Sequence, residues 1–280
     1  MISEGTIVRI ISNLYTVDSD NESFSCRARG RFRHDKTDLL VGDKVVFDKD
    51  KKYIIEVKAR KNFLDRPNVA NVDYALIVTS LKEPRLSTLL LDKLISQVVI
   101  KNVKPVICFT KEDLLDSEEK DKIKELKKYY ESIDIKCFYN YEVDSILDYL
   151  QNKIVVLAGQ TGAGKSSFLN RCDETLNLKT SPISKALNRG VHTTRHTELY
   201  KIRDTFLLDT PGFSSLSLDK YTKEEIKNSF YEFRNLHCLY KDCDHVNTEG
   251  CAINEVLGKT ILESRFKSYE KMLSELKGRI

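Results

Sequence analysis

A glycine-rich stretch in the middle of the chain, GQTGAGKSS at 159–167, limits the possible folds more than any other segment. It matches the phosphate-loop pattern G-x-x-x-x-G-K-[ST]. The apolar run KIVVLA at 153–158 precedes it as a predicted buried strand, and a helix can begin at Lys165. The glycines let backbone N–H groups turn toward phosphate oxygens, and the helix N-terminus adds partial positive charge. A glycine-rich turn before an ordinary helix is the alternative.

This loop predicts binding of a nucleoside triphosphate with magnesium. Lys165 would reach the outer phosphates, and the Ser166 hydroxyl would ligate the metal. The predicted contacts in the loop are Gly159, Gln160, Thr161, Gly162, Ala163, Gly164, Lys165, Ser166 and Ser167.

Strands and helices alternate around the loop, which predicts an α/β domain with a mostly parallel sheet. Strands are predicted at 74–80, 104–110, 135–138, 153–158, 197–202 and 205–208, and helices at 89–100, 117–130 and 143–150.

The strand at 104–110 ends in Thr110-Lys111-Glu112-Asp113, which resembles the guanine-specificity motif N-K-x-D. Asp113 would accept the ring N–H and the amino group of guanine, and Lys111 would lie along the base. Thr110 replaces the usual Asn, which leaves one orienting hydrogen bond open, and a helix-starting loop is the alternative. The second base-contacting loop, Ser-Ala then Gly in other GTPases, has no good match near Tyr139 and Asn140.

The segment LNRGVHTTRHTEL at 187–199 follows the phosphate loop. Its T-T-R-H run resembles the first switch of translation-factor-class GTPases. We therefore expect Thr193 and Thr194 to contact nucleotide, with Thr194 preferred as the magnesium ligand that senses the γ-phosphate. A polar loop without function is the alternative.

A D-x-x-G match follows at 209–212. Asp209 would hold magnesium through water, and the Gly212 N–H would reach the γ-phosphate. The next residue is Phe213, where Ras-like enzymes place a water-orienting Gln. Hydrolysis is therefore slow until a partner helps, or His192 supplies the catalytic function; a solvated loop residue is the other interpretation of His192.

The order of these motifs is unusual. In ordinary GTPases the phosphate loop comes first and the guanine motif late, whereas here the guanine motif precedes the phosphate loop and the other two motifs follow it. The same sheet forms from either order if the original termini are joined. We therefore predict a circularly permuted P-loop GTPase domain.

The N-terminal segment carries candidate strands at 6–11, 14–17, 23–33, 44–48 and 53–57, which predict a small OB-type β-barrel. In SCRARGRFRH, four arginines alternate with small or apolar residues and would share one strand face. Such a face favours RNA phosphate as a ligand, and a solvated strand face is the alternative. The predicted RNA contacts are Arg27, Arg29, Arg31 and Arg33.

The C-terminal segment combines predicted helices at 222–235 and 255–276 with a cluster of cysteine and histidine. Three thiolates and one imidazole make a complete tetrahedral set for one structural zinc ion; a disulfide is the alternative. The predicted zinc ligands are Cys238, Cys243, His245 and Cys251. We expect this metal to stabilise a helical zinc-binding domain without taking part in catalysis.

The bulk composition agrees with a cytoplasmic protein. The chain has 280 residues, a formal net charge of +4 and seven cysteines, an odd number that favours reduced thiols. The sequence contains neither an apolar run of membrane-spanning length nor a signal-peptide pattern, so we expect no membrane association.

The motifs together resemble the RsgA family, the ribosome small-subunit-dependent GTPases. The resemblance rests on LDRPNVANVD at 64–73, GQTGAGKSS, the HTT of the switch, DTPGF, and CLYKDCDHVNTEGCAI at 238–253. It implies late maturation of the small (30S) ribosomal subunit, binding to the subunit and its rRNA, and GTP hydrolysis that the subunit stimulates. We expect domains at 1–65, 66–220 and 221–280, GTP, Mg²⁺ and Zn²⁺ as ligands, and a monomer that can meet other assembly factors.

Two other functions remain open from the sequence. One is an RNA-binding protein whose nucleotide site binds without hydrolysis, which the Phe213 substitution favours. The other is an ATP-dependent RNA enzyme, in which the match at 110–113 would be accidental.

Overall fold

The computed structural model describes residues 1–28, 38–65, 67–178, 198–209 and 218–277. Contacts divide the chain into two compact units. One contains residues 1–75, 143–157 and 166–213, and the other contains residues 76–142, 158–165 and 214–280. Among the described helices, none is long and apolar enough to span a membrane.

The N-terminal strands close into a barrel in the order β1-β2-β3-β5-β4. Their bounds are β1 Ile2–Ile11, β2 Leu14–Ser19, β3 Glu22–Ala28, β4 Lys44–Asp48 and β5 Tyr53–Val57. Alternate residues point inward, as the period of a strand requires. The fully buried core of the barrel is Ile7, Val17, Cys26, Val45, Phe47 and Ile54. The predicted five-strand barrel is therefore present.

A short hairpin follows the barrel, made of β6 Phe63–Asp65 and β7 Asn68–Ala70. Gly42 in the β3–β4 connection approaches it so closely that a Cβ there would lie 2.1 Å from the Ala70 carbonyl oxygen. Gly42 also has a φ of +88°, so no other residue fits this contact without strain.

The remaining described strands form a six-stranded sheet in the order β10-β9-β8-β11-β13-β12. Their bounds are β8 Tyr74–Ser80, β9 Lys104–Thr110, β10 Lys136–Tyr139, β11 Ile154–Ala158, β12 Leu199–Ile202 and β13 Thr205–Asp209. β10 runs parallel to β9, and β11 runs parallel to β13, whereas β12 and β13 form an antiparallel hairpin. Every residue of β11 is buried, as its continuous apolar run predicts.

The helices that accompany this sheet are α1 Thr88–Ile100, α2 Ser117–Ser132, α3 Val143–Tyr149 and α4 Lys165–Cys172. α2 begins with a capping box, in which Asp116 and Glu119 exchange hydrogen bonds with each other's backbone N–H groups. The predicted alternation of strands and helices is confirmed over the described residues.

The C-terminal helices are shorter than the sequence predicts. They are α5 Lys223–Asn228, α6 Ile253–Val256 and α7 Glu263–Lys277, with a 3₁₀ turn at Tyr231–Phe233. The prediction of one helix over 222–235 is wrong because Phe230 takes an extended conformation after α5. The prediction over 255–276 is wrong because Gly258, at a φ of +76°, separates α6 from α7.

A buried ion cluster joins these C-terminal elements to α1. Arg265 of α7 donates from Nη1 to Asp92 Oδ1 at 2.6 Å and from Nε to Glu232 Oε1 at 2.8 Å. The three side chains are 1%, 1% and 3% exposed. The guanidinium carbon of Arg265 also lies 4.1 Å from the Phe230 ring centre. The charge of Arg265 is therefore balanced where water cannot reach it.

Candidate functional site

The phosphate loop adopts the backbone conformation that its glycines permit. Gly159, Gly162 and Gly164 have φ values of +133°, +79° and +99°. A Cβ at Gly159 would lie 2.1 Å from the Val78 carbonyl oxygen, so a side chain cannot be placed there. The strand–loop–helix order is as predicted, since β11 ends at Ala158 and α4 begins at Lys165.

The lysine of the loop lies over the loop's own backbone. Lys165 Nζ donates to the carbonyl oxygens of Gly159 at 2.7 Å and Gln160 at 2.9 Å. The Ala163 N–H donates to the Gln160 carbonyl at 3.2 Å, which closes the turn. These contacts hold the ammonium group beside the loop, in the place where phosphate oxygens are bound in proteins with this motif.

The predicted guanine motif is attached to the same loop. Thr110 is 1% exposed, and its hydroxyl donates to the Ala163 carbonyl at 2.8 Å. Lys111 has a φ of +61°, and its Nζ donates to the carbonyls of Gly162, at 3.2 Å, and of Glu83. The sequence left open whether Thr110 could make an orienting hydrogen bond in place of the usual Asn. In the structure Thr110 does make a hydrogen bond from this first position of the motif.

Asp113 is exposed and follows Lys111 in a 3₁₀ turn at Glu112–Leu114. Within the described residues its carboxylate enters no hydrogen bond or ion pair. A carboxylate that is free at this position can accept two N–H groups from one planar base. The structure therefore brings Thr110 and Lys111 to the phosphate loop and leaves Asp113 available beside them.

Of the three residues predicted to hold magnesium, Ser166 and Asp209 lie in the described part of the chain. Ser166 is the second residue of α4 and is half-buried. Asp209 is the last residue of β13, whose register places it opposite Leu157 of β11. A hydroxyl and a carboxylate are oxygen donors of the kind that magnesium prefers, so the donor set fits. His192, Thr193, Thr194, Gly212 and Phe213 lie outside the described residues.

The hairpin that ends in Asp209 is attached to the barrel. Arg9 of β1 forms an antiparallel bridge with Glu198, and Arg9 Nη1 lies 3.5 Å from Glu198 Oε1. Lys201 of β12 donates to Asp18 Oδ1 and Asn21 Oδ1, both at 2.8 Å. Because Glu198 is the second-last residue of the segment at 187–199 that carries the predicted switch, the barrel contacts the chain where that segment ends.

Of the predicted RNA contacts, Arg27 is the one that the structure describes. It is exposed on β3 next to the fully buried Cys26, in agreement with the predicted alternation. Arg29, Arg31 and Arg33 lie outside the described residues.

The predicted zinc ligands converge on one point. The ligand atoms of Cys238, Cys243, His245 and Cys251 all lie within 4.8 Å of one another. Cys238 Sγ is 3.7 Å from Cys251 Sγ, and His245 Nδ1 is 3.4 Å from each of these two sulfurs. A tetrahedral zinc with ordinary bond lengths requires about 3.8 Å between two sulfurs and about 3.6 Å between sulfur and nitrogen. The four residues therefore fit a metal of this kind.

The surroundings of the cluster suit a metal site. Burial lowers the pKa of His245, which keeps its imidazole neutral and able to bind a metal. The N–H groups of His245 and Ala252 each approach a cysteine sulfur at 3.4 Å. The Tyr269 hydroxyl of α7 donates to the Asp244 carbonyl at 2.7 Å, which ties the cluster loop to the helical core.

Comparison with known proteins agrees with these features. The family model for the RsgA N-terminal domain matches residues 4–60, and that for the RsgA GTPase matches residues 57–219. The chain is 43% identical to "Small ribosomal subunit biogenesis GTPase RsgA 2" of Listeria monocytogenes, over 99% of this chain and 98% of the relative. It is 37% identical to "Small ribosomal subunit biogenesis GTPase RsgA" of Enterococcus faecalis, over 99% of this chain and 96% of the relative.

Two solved structures share the fold over the full chain. YjeQ from Thermotoga maritima superimposes with a TM-score of 0.86 and 32% identity, covering 100% of both chains. YloQ, described as a circularly permuted GTPase, also has a TM-score of 0.86 and 32% identity, covering 100% of this chain and 96% of its own. With its permuted motif order, barrel and Cys–His cluster, the chain belongs to the RsgA GTPase family.

Proposed function

We propose that this protein hydrolyses GTP to GDP and phosphate during late maturation of the small ribosomal subunit in the cytoplasm. The observation that carries the proposal is the attachment of Thr110 and Lys111 to the carbonyls of Ala163 and Gly162. It joins a guanine motif and a phosphate loop into one site, although they lie far apart in the chain and in permuted order. The names of the relatives support the same assignment of the process.

The proposed reaction is in-line attack of water on the γ-phosphate. Lys165 and the N–H groups of the phosphate loop stabilise the charge that develops on the phosphate oxygens. Ser166, Thr194 and Asp209 would hold magnesium, which neutralises phosphate charge when bound. The Gly212 N–H would contact the γ-phosphate.

Water positioning is assigned to His192, because the aromatic ring of Phe213 cannot accept a proton or orient water. Unaided hydrolysis should therefore be slow. The small subunit then accelerates the reaction by placing the switch segment in its active arrangement.

The barrel, which precedes the GTPase domain in the chain, and the segment with the metal cluster, which follows it, are proposed to bind rRNA. Arg27, Arg29, Arg31 and Arg33 would contact phosphates, and one zinc ion held by the Cys–His cluster would stabilise the C-terminal domain. The ion pairs of Arg9 with Glu198 and of Lys201 with Asp18 attach the barrel to the chain next to the predicted switch segment. They support the proposal that a change of the switch on hydrolysis reaches the barrel. The proposed domain limits are 1–65, 66–220 and 221–280. The protein is proposed to act as a monomer.

The test is hydrolysis of GTP and of ATP, each with and without purified small subunits. GTP turnover should be slow without subunits and rise at least about tenfold with them, and ATP turnover should be negligible with and without subunits. GTP binding without stimulated hydrolysis would favour a nucleotide-binding RNA-binding protein. Equal use of ATP would favour an ATP-dependent RNA enzyme.

A further inference from the structure

A tight turn follows β10 at the place where other GTPases carry the second base-contacting loop. The Tyr139 N–H donates to Glu142 Oε2 at 2.6 Å, and the Glu142 N–H donates to the Tyr139 carbonyl at 3.0 Å. The Asn140 N–H donates to the Phe109 carbonyl at 2.9 Å. Because Phe109 precedes Thr110, the turn is fixed directly beside the guanine motif.

The tip of this turn is Tyr141, whose side chain is held from two directions. Its ring stacks on Tyr139 with a centroid distance of 5.4 Å and an interplanar angle of 3°. Its hydroxyl donates to Glu112 Oε2 at 3.1 Å. Tyr141 nevertheless remains 58% exposed, whereas Tyr139 beneath it is 8% exposed. A large exposed ring is thus kept in one orientation at the edge of the nucleotide site.

The hydrogen bond from Tyr141 completes the attachment of the guanine motif. Thr110 and Lys111 are bound to phosphate-loop carbonyls, and Glu112 is bound to Tyr141. Asp113 is the next residue and is exposed. Each residue that precedes Asp113 in the motif is therefore held by a side-chain contact. The Asp113 carboxylate remains as the group that can contact the base.

We propose that Tyr141 is a positioning residue for guanine selectivity: by holding Glu112, it fixes the angle at which Asp113 meets the base. The proposal rests on the GTPase function proposed above. A carboxylate must accept two N–H groups in one plane to distinguish guanine from adenine, so a small rotation of the backbone at 112–113 weakens both bonds. Tyr141 thereby takes over a role in base recognition that the missing Ser-Ala pattern leaves unfilled.

The chemistry of the pair suits this role across the physiological range. Partial burial, together with the bond to Glu112, raises the pKa of Tyr141 to about 12. The hydroxyl therefore stays protonated and remains a donor at neutral pH. The stability of the fold gains little from one hydrogen bond at an exposed surface, so selectivity is the property that should respond.

The test measures GDP and ADP binding by calorimetry for wild type, Tyr141→Phe, Glu112→Ala and Glu112→Gln. Tyr141→Phe keeps the stacked ring and loses the hydroxyl, and Glu112→Gln keeps an acceptor oxygen. We expect Tyr141→Phe and Glu112→Ala each to weaken GDP binding by about 3- to 10-fold and to leave ADP binding unchanged. Glu112→Gln should retain most of the GDP preference. The double variant Tyr141→Phe/Glu112→Ala should lose no more GDP affinity than either of its single variants.

Tyr53→Phe is the matched control, because Tyr53 is 41% exposed on the barrel. It should change neither affinity. An unchanged GDP affinity in Tyr141→Phe, or an equal loss of affinity for both nucleotides, overturns the role of Tyr141. Equal binding of GDP and ADP by the wild type overturns the proposed GTPase function first, and the role of Tyr141 with it.

Discussion

Replacing Arg265 by Met should destabilise the protein strongly, since Arg265 lies at the centre of the buried ion cluster. The substitution keeps an apolar side chain of similar length and removes the charge that compensates Asp92 and Glu232. Both carboxylates are at most 3% exposed, so water cannot replace the lost partner. Breaking a buried ion pair in this way costs about 3–5 kcal/mol of unfolding free energy.

Lys93→Met is the matched control. Lys93 of α1 bonds Glu275 of α7 at 2.7 Å, but the two side chains are 13% and 35% exposed. A pair that water reaches contributes at most about 1 kcal/mol. Urea unfolding at neutral pH should therefore show a loss for Arg265→Met at least about three times that for Lys93→Met.

The pH dependence supplies a second readout. Burial raises the pKa of Asp92, and the nearby Arg265 is the largest influence that opposes the rise. A carboxyl whose pKa is higher in the folded state stabilises the fold below its unfolded pKa, and that stability is lost as pH rises through the folded value. The deficit of Arg265→Met should thus be smaller near about pH 5 than near about pH 8. Equal losses for the two variants, or a deficit that grows toward acid pH, would refute the reasoning.

Three further predictions concern the nucleotide site and the metal cluster. Thr110→Val should weaken GDP binding about tenfold, because the buried bond to the Ala163 carbonyl is lost, whereas Thr110→Ser should retain it; calorimetry checks both. Gly159→Ala should abolish GTP binding, because its Cβ would lie 2.1 Å from a carbonyl oxygen, whereas Gly164→Ala, with nearest atoms at 3.6 Å, should be impaired less; filter binding separates them. A strong zinc chelator should lower the melting temperature and expose the cysteines of the cluster to thiol reagents, and a preparation with no bound metal and an unchanged melting temperature would contradict the zinc assignment.

The parts of the fold that could be predicted from sequence are those determined by local patterns. Buried apolar runs located β8, β9 and β11, and the glycine pattern located the phosphate loop because so few backbones can wrap around phosphate. The Cys–His spacing also identified four side chains that the structure brings together. In each case the information lies within a short segment of chain.

The features that sequence did not predict depend on contacts between distant residues. In the sequence, Arg265 cannot be distinguished from the other charged residues of an amphipathic helix, because its partner Asp92 lies 173 residues away. The bond between Tyr141 and Glu112 could not be inferred for the same reason. After the break that follows α5, Phe230 packs against Tyr269 with ring centres 5.1 Å apart, and the helical spacing of apolar residues gives no sign of this contact.

The most direct test of the central claim is the nucleotide preference of Asp113→Asn. The claim is that a guanine base lies against Asp113 in a site shared with the phosphate loop. Replacing the carboxylate by an amide exchanges one of its two acceptor oxygens for an NH₂ donor, which suits the carbonyl oxygen of xanthine instead of the amino group of guanine. The variant should bind xanthosine diphosphate more tightly than GDP, with the wild type showing the opposite preference. If the variant keeps the GDP preference of the wild type, Asp113 does not read the base and the account of the site is wrong.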